Sequence, residues 1–313
     1  MSILTYIVSR FLHAVPVMLG VTICVFLTIH LVPGDPIRIM MHGRISDAEV
    51  AAIYQELGMD RPLLIQYADF LRHAVAGDLG MSLIQKAPVT TLVIEKLWPT
   101  LALLSFSAVL SILIAVPLGL VAAFYRNRWP DQLIRLGSIV GFALPSYWLG
   151  LLLILCFGLW LGWFPISGIG KGPLQMLYHL FLPSLTIALF LGPVLVQSLR
   201  AAMLDVLTSE FIEVARAKGL SEWRILTKHV LRNALIPVIT VLAANISWLL
   251  SGAVIVEYVF GLPGLGSLLV RSVGYRDYPL IQGLSLIFAV LVVIVNLIAD
   301  LSYMLVDRRV LKA

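Results

Sequence analysis

The sequence predicts an all-α integral-membrane protein with six transmembrane helices and an extracytoplasmic helical insertion between the first two. Three observations carry this. Residues of the AVILMFWYC set fill 60% of the 313 positions and charged residues 12%, with a mean hydropathy of +0.99, whereas soluble proteins are about a quarter charged. Six apolar runs reach the roughly 20 residues needed to cross a hydrocarbon core. The basic residues also concentrate in alternate loops, as a spanning chain requires.

The runs are, in order, 11–32 (FLHAVPVMLGVTICVFLTIHLV), 100–124, 133–157, 180–199, 238–260 and 281–305. The first follows Arg10, is longer than a signal-peptide core and has no small-residue cleavage site after it, so it reads as a retained helix. With the N-terminus inside, the inner segments hold thirteen basic residues against six acidic, and the outer segments nine against ten. This positive-inside bias places both termini and the 200–237 loop in the cytoplasm. It also accounts for the sequence pI of about 9.3 without nucleic acid as a partner. Nothing divides the chain by composition, so 1–313 reads as a single transmembrane domain embedded in a lipid bilayer.

Segment 33–99 is the one sizeable extracytoplasmic piece. Within it, SDAE at 46–49 is a capping box, in which Ser46 accepts from the Glu49 N–H and Glu49 reaches back. Val50, Ile53, Tyr54 and Leu57 follow at helical spacing, and Gly58 is placed to end the helix. A second helix is expected from Pro62 to about Gly77.

The stretch EFIEVARAKGLSEWRILTKHVLRNALIPV at 210–238 is unusually charged for this chain. Its periodicity predicts two amphipathic helices. In the first, Phe211, Ile212, Val214 and Ala215 gather on one side and Glu210, Glu213, Arg216 and Ala217 on the other. Gly219 supplies the turn, and Ser221 stands where it caps the second helix. There Trp223, Leu226, Val230 and Ala234 form an apolar face, while Arg224, Lys228 and Arg232 repeat as a basic stripe. Pro237 is expected to close this helix before the fifth span. A headgroup-bound interfacial helix explains the second half, but a helical elbow receiving a cytoplasmic partner explains both halves.

Within the spans, Asp300 reads as the one interior carboxylate, close enough to the cytoplasmic face to reach water or Arg308. Asn245, Ser247, Ser251 and Asn296 are candidates for a translocation pathway, and interhelical hydrogen bonding explains them equally well. Pro117, Pro145, Pro183, Pro193 and the GxxxG at Gly137 and Gly141 suit kinked, closely packed helices. His13 and His30 sit near opposite ends of span one, too far apart to share a metal. Cys24 and Cys156 lie in apolar runs and read as small buried hydrophobes, so the sequence offers no metal site. It also lacks an HExxH, paired intramembrane carboxylates and a GxxxxGK[ST] phosphate loop. No catalytic residue is assigned, which disfavours an intramembrane hydrolase and puts any ATP hydrolysis on another chain.

On the residues of the charged stretch the chain resembles the permease subunits of binding-protein-dependent ABC importers. Their EAA loop has the form EAAxxxG, and here Glu213, Val214, Ala215, RAK and Gly219 stand in its places. Val214 departs from the alanine of the pattern, and the 18 residues from Gly219 to Pro237 exceed the usual spacing, as in the peptide and nickel branch. LVPGDP at 31–36, LGMDRPLLIQY at 57–67, GDLGMS at 77–82, PVTTLVIEKLWPTL at 88–101, NRWPDQL at 127–133, VEYVFGLPGLGSLLV from 256 and RDYPLIQG up to 283 agree with that branch across nearly the whole chain. It is thereby similar to B-type permeases of the dipeptide, oligopeptide, glutathione and nickel family.

The resemblance implies a type I ABC importer permease fold in a bacterial or archaeal cytoplasmic (inner) membrane. It implies as partners a second homologous permease, two ATPase subunits or domains and an extracytoplasmic substrate-binding protein. ATP and Mg would bind the partner subunits, with no cofactor on this chain. Coupling would fall on Glu213, Ala215, Ala217 and Gly219, with Glu213 facing basic or donor groups of the ATPase and Ala217 where bulk prevents docking. Di- or oligopeptides are the expected substrates, with nickel chelates or glutathione as alternatives. A proton-coupled secondary transporter, using Asp300, is the alternative of another class.

Overall fold

The computed structural model describes residues 3–31, 37, 46–56 and 58–306. Its helices are α1 (Ile3–Leu31), α2 (Asp47–Glu56), α3 (Leu63–Val75), α4 (Val89–Phe124), α5 (Trp129–Ala143), α6 (Ser146–Leu153), α7 (Pro173–Leu207), α8 (Glu210–Ala217), α9 (Glu222–Arg224), α10 (Leu231–Ala244), α11 (Ile246–Val259), α12 (Leu265–Tyr275) and α13 (Tyr278–Val306). Two π-helical stretches, Ile154–Trp160 and Ile225–Val230, continue α6 and α9.

Among the described residues five helices are long and apolar enough to cross a membrane, or six with one bent pair counted as a span. Spans one, two, four and six fall where expected. The third is the bent pair: α5 and α6 meet at 105°, because Pro145 follows Leu144 in extended backbone and a residue before proline is driven out of the helical region. The fifth is displaced. Its helix passes through Pro237 instead of stopping there, so the apolar stretch runs over Glu222–Leu242 and a shorter apolar helix, Ser247–Val259, follows a break at Asn245. A proline forfeits one helical hydrogen bond but does not end a helix held by its neighbours. α4 has 36 residues, about 54 Å at helical rise and longer than a hydrocarbon core of about 30 Å, and residues 89–99 are continuous with the span.

Packing gathers the chain into two compact units. Among the described residues, one comprises 101–262 with 295–306, the other those up to Thr100 with 263–294. In the first, α7 is the central helix, packing against α5, α6, α10 and α11. Its buried face, including Leu180, Leu191, Leu195 and Leu199, forms the middle of one continuous core. Gly141 of the GxxxG lets α5 approach α7: a Cβ there would meet Pro193 Cγ at 3.3 Å, whereas one on Gly137 would meet nothing. Apolar side chains such as Leu113, Leu136 and Ile139 remain exposed, as spans facing lipid or other subunits require.

The second unit carries the insertion. The capping box forms as expected, with Ser46 N–H donating to Glu49 Oε2 at 3.0 Å and Glu49 N–H to Ser46 Oγ at 3.3 Å. α3 begins after Pro62 and its last turn ends at Gly77. It is tied to α1 by a Thr22–Tyr67 hydroxyl bond of 2.9 Å and a His30–Gln66 bond of 3.3 Å. Leu79, Val89, Leu92, Leu265 and Leu284 form its main core. Buried Asp277 is the polar staple: it accepts from the Ser82 hydroxyl and from the N–H groups of Leu83, Ile84 and Leu280. Nothing in the periodicity singles out α12, whose first N–H, on Leu265, is capped by Thr100 Oγ1 at 2.9 Å.

Candidate functional site

The 200–237 loop is built outward from the core of the first unit. α8 buries Ile212 and Ala215 beside Met203, Ile225, Leu226 and Val230, in the core cluster that also holds Leu195 and Leu199 of α7 and Val238 and Leu249 further on. Each aliphatic side chain sunk this way contributes about 1.5–3 kcal/mol, so this face is folded into the membrane domain. Glu213, Ala217, Lys218 and Gly219 are exposed. So are Phe211 and Val214, at 47% and 54%. The apolar face is therefore narrower than the sequence implies. Of the four expected coupling positions, Glu213, Ala217 and Gly219 face outward and Ala215 faces the core.

The turn after α8 shows why glycine stands there. Gly219 N–H bonds Arg216 O at 2.9 Å and Leu220 N–H bonds Ala215 O at 3.3 Å, a pattern that puts the intervening residue in the left-handed region. Gly219 has φ +77°, and a Cβ would meet nothing within 4 Å, so the requirement is conformational, not steric. Across the turn Arg216 Nε and Nη2 donate to the two Glu222 oxygens at 2.7 and 3.2 Å. Both side chains are about half exposed, so the pair sets geometry more than it adds stability. Its chief effect on Arg216 is the hydrogen bond to Glu222, which raises the guanidinium pKa further.

Ser221 has the backbone conformation of a cap, but its side chain makes no capping bond. The second helix also turns differently from the expectation. Ile225 is fully buried with Leu226, Val230 and Ala234, while Trp223 is half exposed and packs edge-on to Phe124 at 5.5 Å. The π turn explains this, since its wider pitch aligns residues five apart, such as Ile225 and Val230. Arg224, Lys228 and Arg232 are exposed, as the basic stripe requires.

A brace that sequence reasoning missed lies at the root of this loop. Asp131, fully buried in the first turn of α5, accepts Arg200 Nε at 2.6 Å and Nη2 at 2.7 Å, and the Asn127 N–H at 2.9 Å. A bidentate guanidinium–carboxylate pair fixes orientation as well as distance. It joins the 125–131 turn to α7, seven residues before α7 ends.

The pathway candidates separate. Asn245 interrupts the α10–α11 helix, donates to Val241 O at 2.8 Å and lines a cavity of about 250 Å³ with Phe142, Phe190 and Trp248. Ser247 donates to Asn296 Oδ1 at 3.2 Å, so these two brace helices against each other. Ser251 is exposed and donates to Ser247 O. Glu257, in the last turn of α11, is fully buried, which corrects the reading of Asp300 as the one carboxylate inside a span. The Asp300 side chain and Arg308 lie outside the described residues. Cys24 is exposed, not buried. Among the described residues no group of three or more His, Cys, Asp or Glu is arranged to hold a metal ion.

Comparison with known proteins sets these features in a family. Residues 115–312 match the family model described as binding-protein-dependent transport system inner membrane component. Residues 3–104 match that of its N-terminal region. The chain is 40% identical over 308 residues to the glutathione transport system permease protein GsiC of Escherichia coli O6:H1, covering 98% of this chain and 99% of the relative. It is 39% identical, with the same coverage, to GsiC of Salmonella typhimurium. Among solved structures it resembles the inward-facing MetNI methionine ABC transporter, with a TM-score of 0.56 over 69% of this chain and 96% of that one, at 18% identity. The matched models cover both the spans and the insertion, and the chain therefore belongs to the inner-membrane permease family of binding-protein-dependent ABC importers.

Proposed function

We propose that this chain is one of two permease halves of an ATP-driven importer of small peptides, and that α8 and the Gly219 turn form its coupling helix. The observation that carries the reading is the two-sided build of α8: Ile212 and Ala215 are continuous with the core of the spans, while Phe211, Glu213, Val214, Ala217 and Lys218 are presented outward. A partner that moves the outer face must move α7 and α10, because they share side-chain packing with the inner face. The partners would be a second permease, two ATPase chains carrying ATP and Mg, and an extracytoplasmic binding protein. This chain transmits and does not catalyse. Both termini would lie in the cytoplasm, on the side of the basic loop.

Peptides are the expected cargo, and the relatives named as glutathione permeases favour glutathione, itself a tripeptide, over nickel chelates as the first substrate to try. Asn245 and the aromatic cavity beside it are the pathway surface of this half. The test is uptake of labelled glutathione and of a dipeptide into proteoliposomes holding the full complex. Ala217→Arg and Gly219→Asp should leave assembly intact and lower ATP-driven uptake at least about tenfold, the effect of losing one docking hot spot. Undiminished uptake would remove α8 from the coupling role. Uptake driven by a proton gradient with no ATPase bound would replace the importer reading with the secondary transporter.

A further inference from the structure

Four helix ends among the described residues share one hydrogen-bond pattern, and each has glycine at the left-handed position: Gly58, Gly77, Gly219 and Gly261. α12 ends in the same pattern, with Arg276 N–H to Val273 O at 3.2 Å and Asp277 N–H to Ser272 O at 3.0 Å. Here the left-handed residue is Arg276, at φ 55° and ψ 39°. A side chain disfavours that conformation, and strain of this kind is a pointer to function.

The arginine is not held by its neighbour. Asp277 is occupied by Ser82, Leu83, Ile84 and Leu280. Arg276 Nη1 is buried and has no hydrogen-bond partner. A buried cationic donor without an acceptor is costly.

Arg276 lines a cavity of about 380 Å³ whose other walls include Cys24, Val25 and Ile29 of α1 and Leu269 and Val273 of α12. Cys24 and Val273 are exposed, so the cavity opens to the surface of its unit. Arg276 stands two residues before α13, whose stretch Tyr278–Ile298 is apolar enough to span. A span that begins there would put Arg276 where hydrocarbon gives way to headgroups and an arginine can meet lipid phosphate.

We propose that this cavity binds a glycerophospholipid, its phosphodiester beside the Arg276 guanidinium and an acyl chain against Val25, Ile29 and Leu269. A soluble anion gains nothing from apolar walls. A lipid suits both the apolar walls and the guanidinium charge, and it is the anion present at that depth.

The test uses the complete transporter complex, purified and washed with delipidating detergent, with retained phospholipid counted by mass spectrometry. Arg276→Asn removes the charge but tolerates the left-handed backbone, and it should retain about tenfold less lipid, the worth of one charge-assisted hydrogen bond. Arg276→Lys should be intermediate. Val273→Trp, which fills the cavity and keeps the arginine, should also lose lipid. Added phosphatidylglycerol should shield Cys24 from a maleimide, with Cys156 as internal control. Equal lipid retention in Arg276→Asn overturns the proposal. So does equal protection of Cys24 by inorganic phosphate alone, or cross-linking of Cys24 to another chain, which would show that protein covers the cavity.

Discussion

Asp131 and Arg200 illustrate what one pair of side chains decides. Each is unremarkable in sequence: an acid after a proline, and an arginine at the foot of an apolar run. Paired at 2.6 Å with the carboxylate fully buried, they become the joint between the 125–131 turn and the helix leading into the loop. Asp131→Asn leaves a guanidinium largely out of water without its counter-charge, and should cost about 3 kcal/mol. The measurement is thermal unfolding of the purified complex, with a lower midpoint expected for the single variant and recovery in Asp131→Asn/Arg200→Gln. The pair was illegible because its partners are 69 residues apart, and periodicity reports only which face a residue occupies. Ile212 and Leu226 were legible for the same reason, since their burial follows from spacing alone.

At the scale of elements, local rules held where local interactions decide. The capping box at Ser46 forms within four residues, and the backbone hydrogen bond from Ser46 to Glu49 holds that carboxyl below its ordinary value of 4.5. The sign follows: a lowered folded-state pKa gives stabilisation that is present above the ordinary carboxylate range and is lost as pH falls through the lowered value. Amide exchange at the first turn of α2 should therefore stay slow until the solution is more acidic than that range. Glu49→Gln should show faster exchange with no such dependence. Local rules failed where packing overrules them. Pro237 reads as a helix end, yet α10 runs through it. Pro145 reads as a kink in a straight span, yet it divides that span into α5 and α6 at 105°. The π turn at Ile225–Val230 has no sequence signal of its own; it shows only as a shift in which residues are buried, with Ile225 inside and Trp223 outside.

For the whole molecule, hydropathy and charge distribution were enough to predict a multi-span membrane protein, while the permease reading rested on the motifs of the charged loop and its flanking segments, and the family match bears that reading out. The two-unit packing was not readable, because α4 and α13 each supply residues to both units and a continuous apolar helix does not mark where its contacts change. The candidate coupling site was largely legible: the exposed Glu213, Ala217 and Gly219 and the inward Ile212 and Ala215 follow from motif and periodicity, whereas the outward Phe211 and Val214 needed the fold. The inner face of α8 also has a consequence for kinship among such transporters. Since Ile212, Ile225 and Val230 are fitted to this chain's own interior, the loop is not a cassette that can be traded between paralogues. Replacing all of 210–237 with a relative's segment should yield little assembled complex. Exchanging only Phe211, Glu213, Val214, Ala217 and Lys218 should redirect which ATPase co-purifies while assembly persists. Motor preference can then drift through a handful of surface positions while the interior stays fixed, so that sister importers in one cell can part ways without refolding.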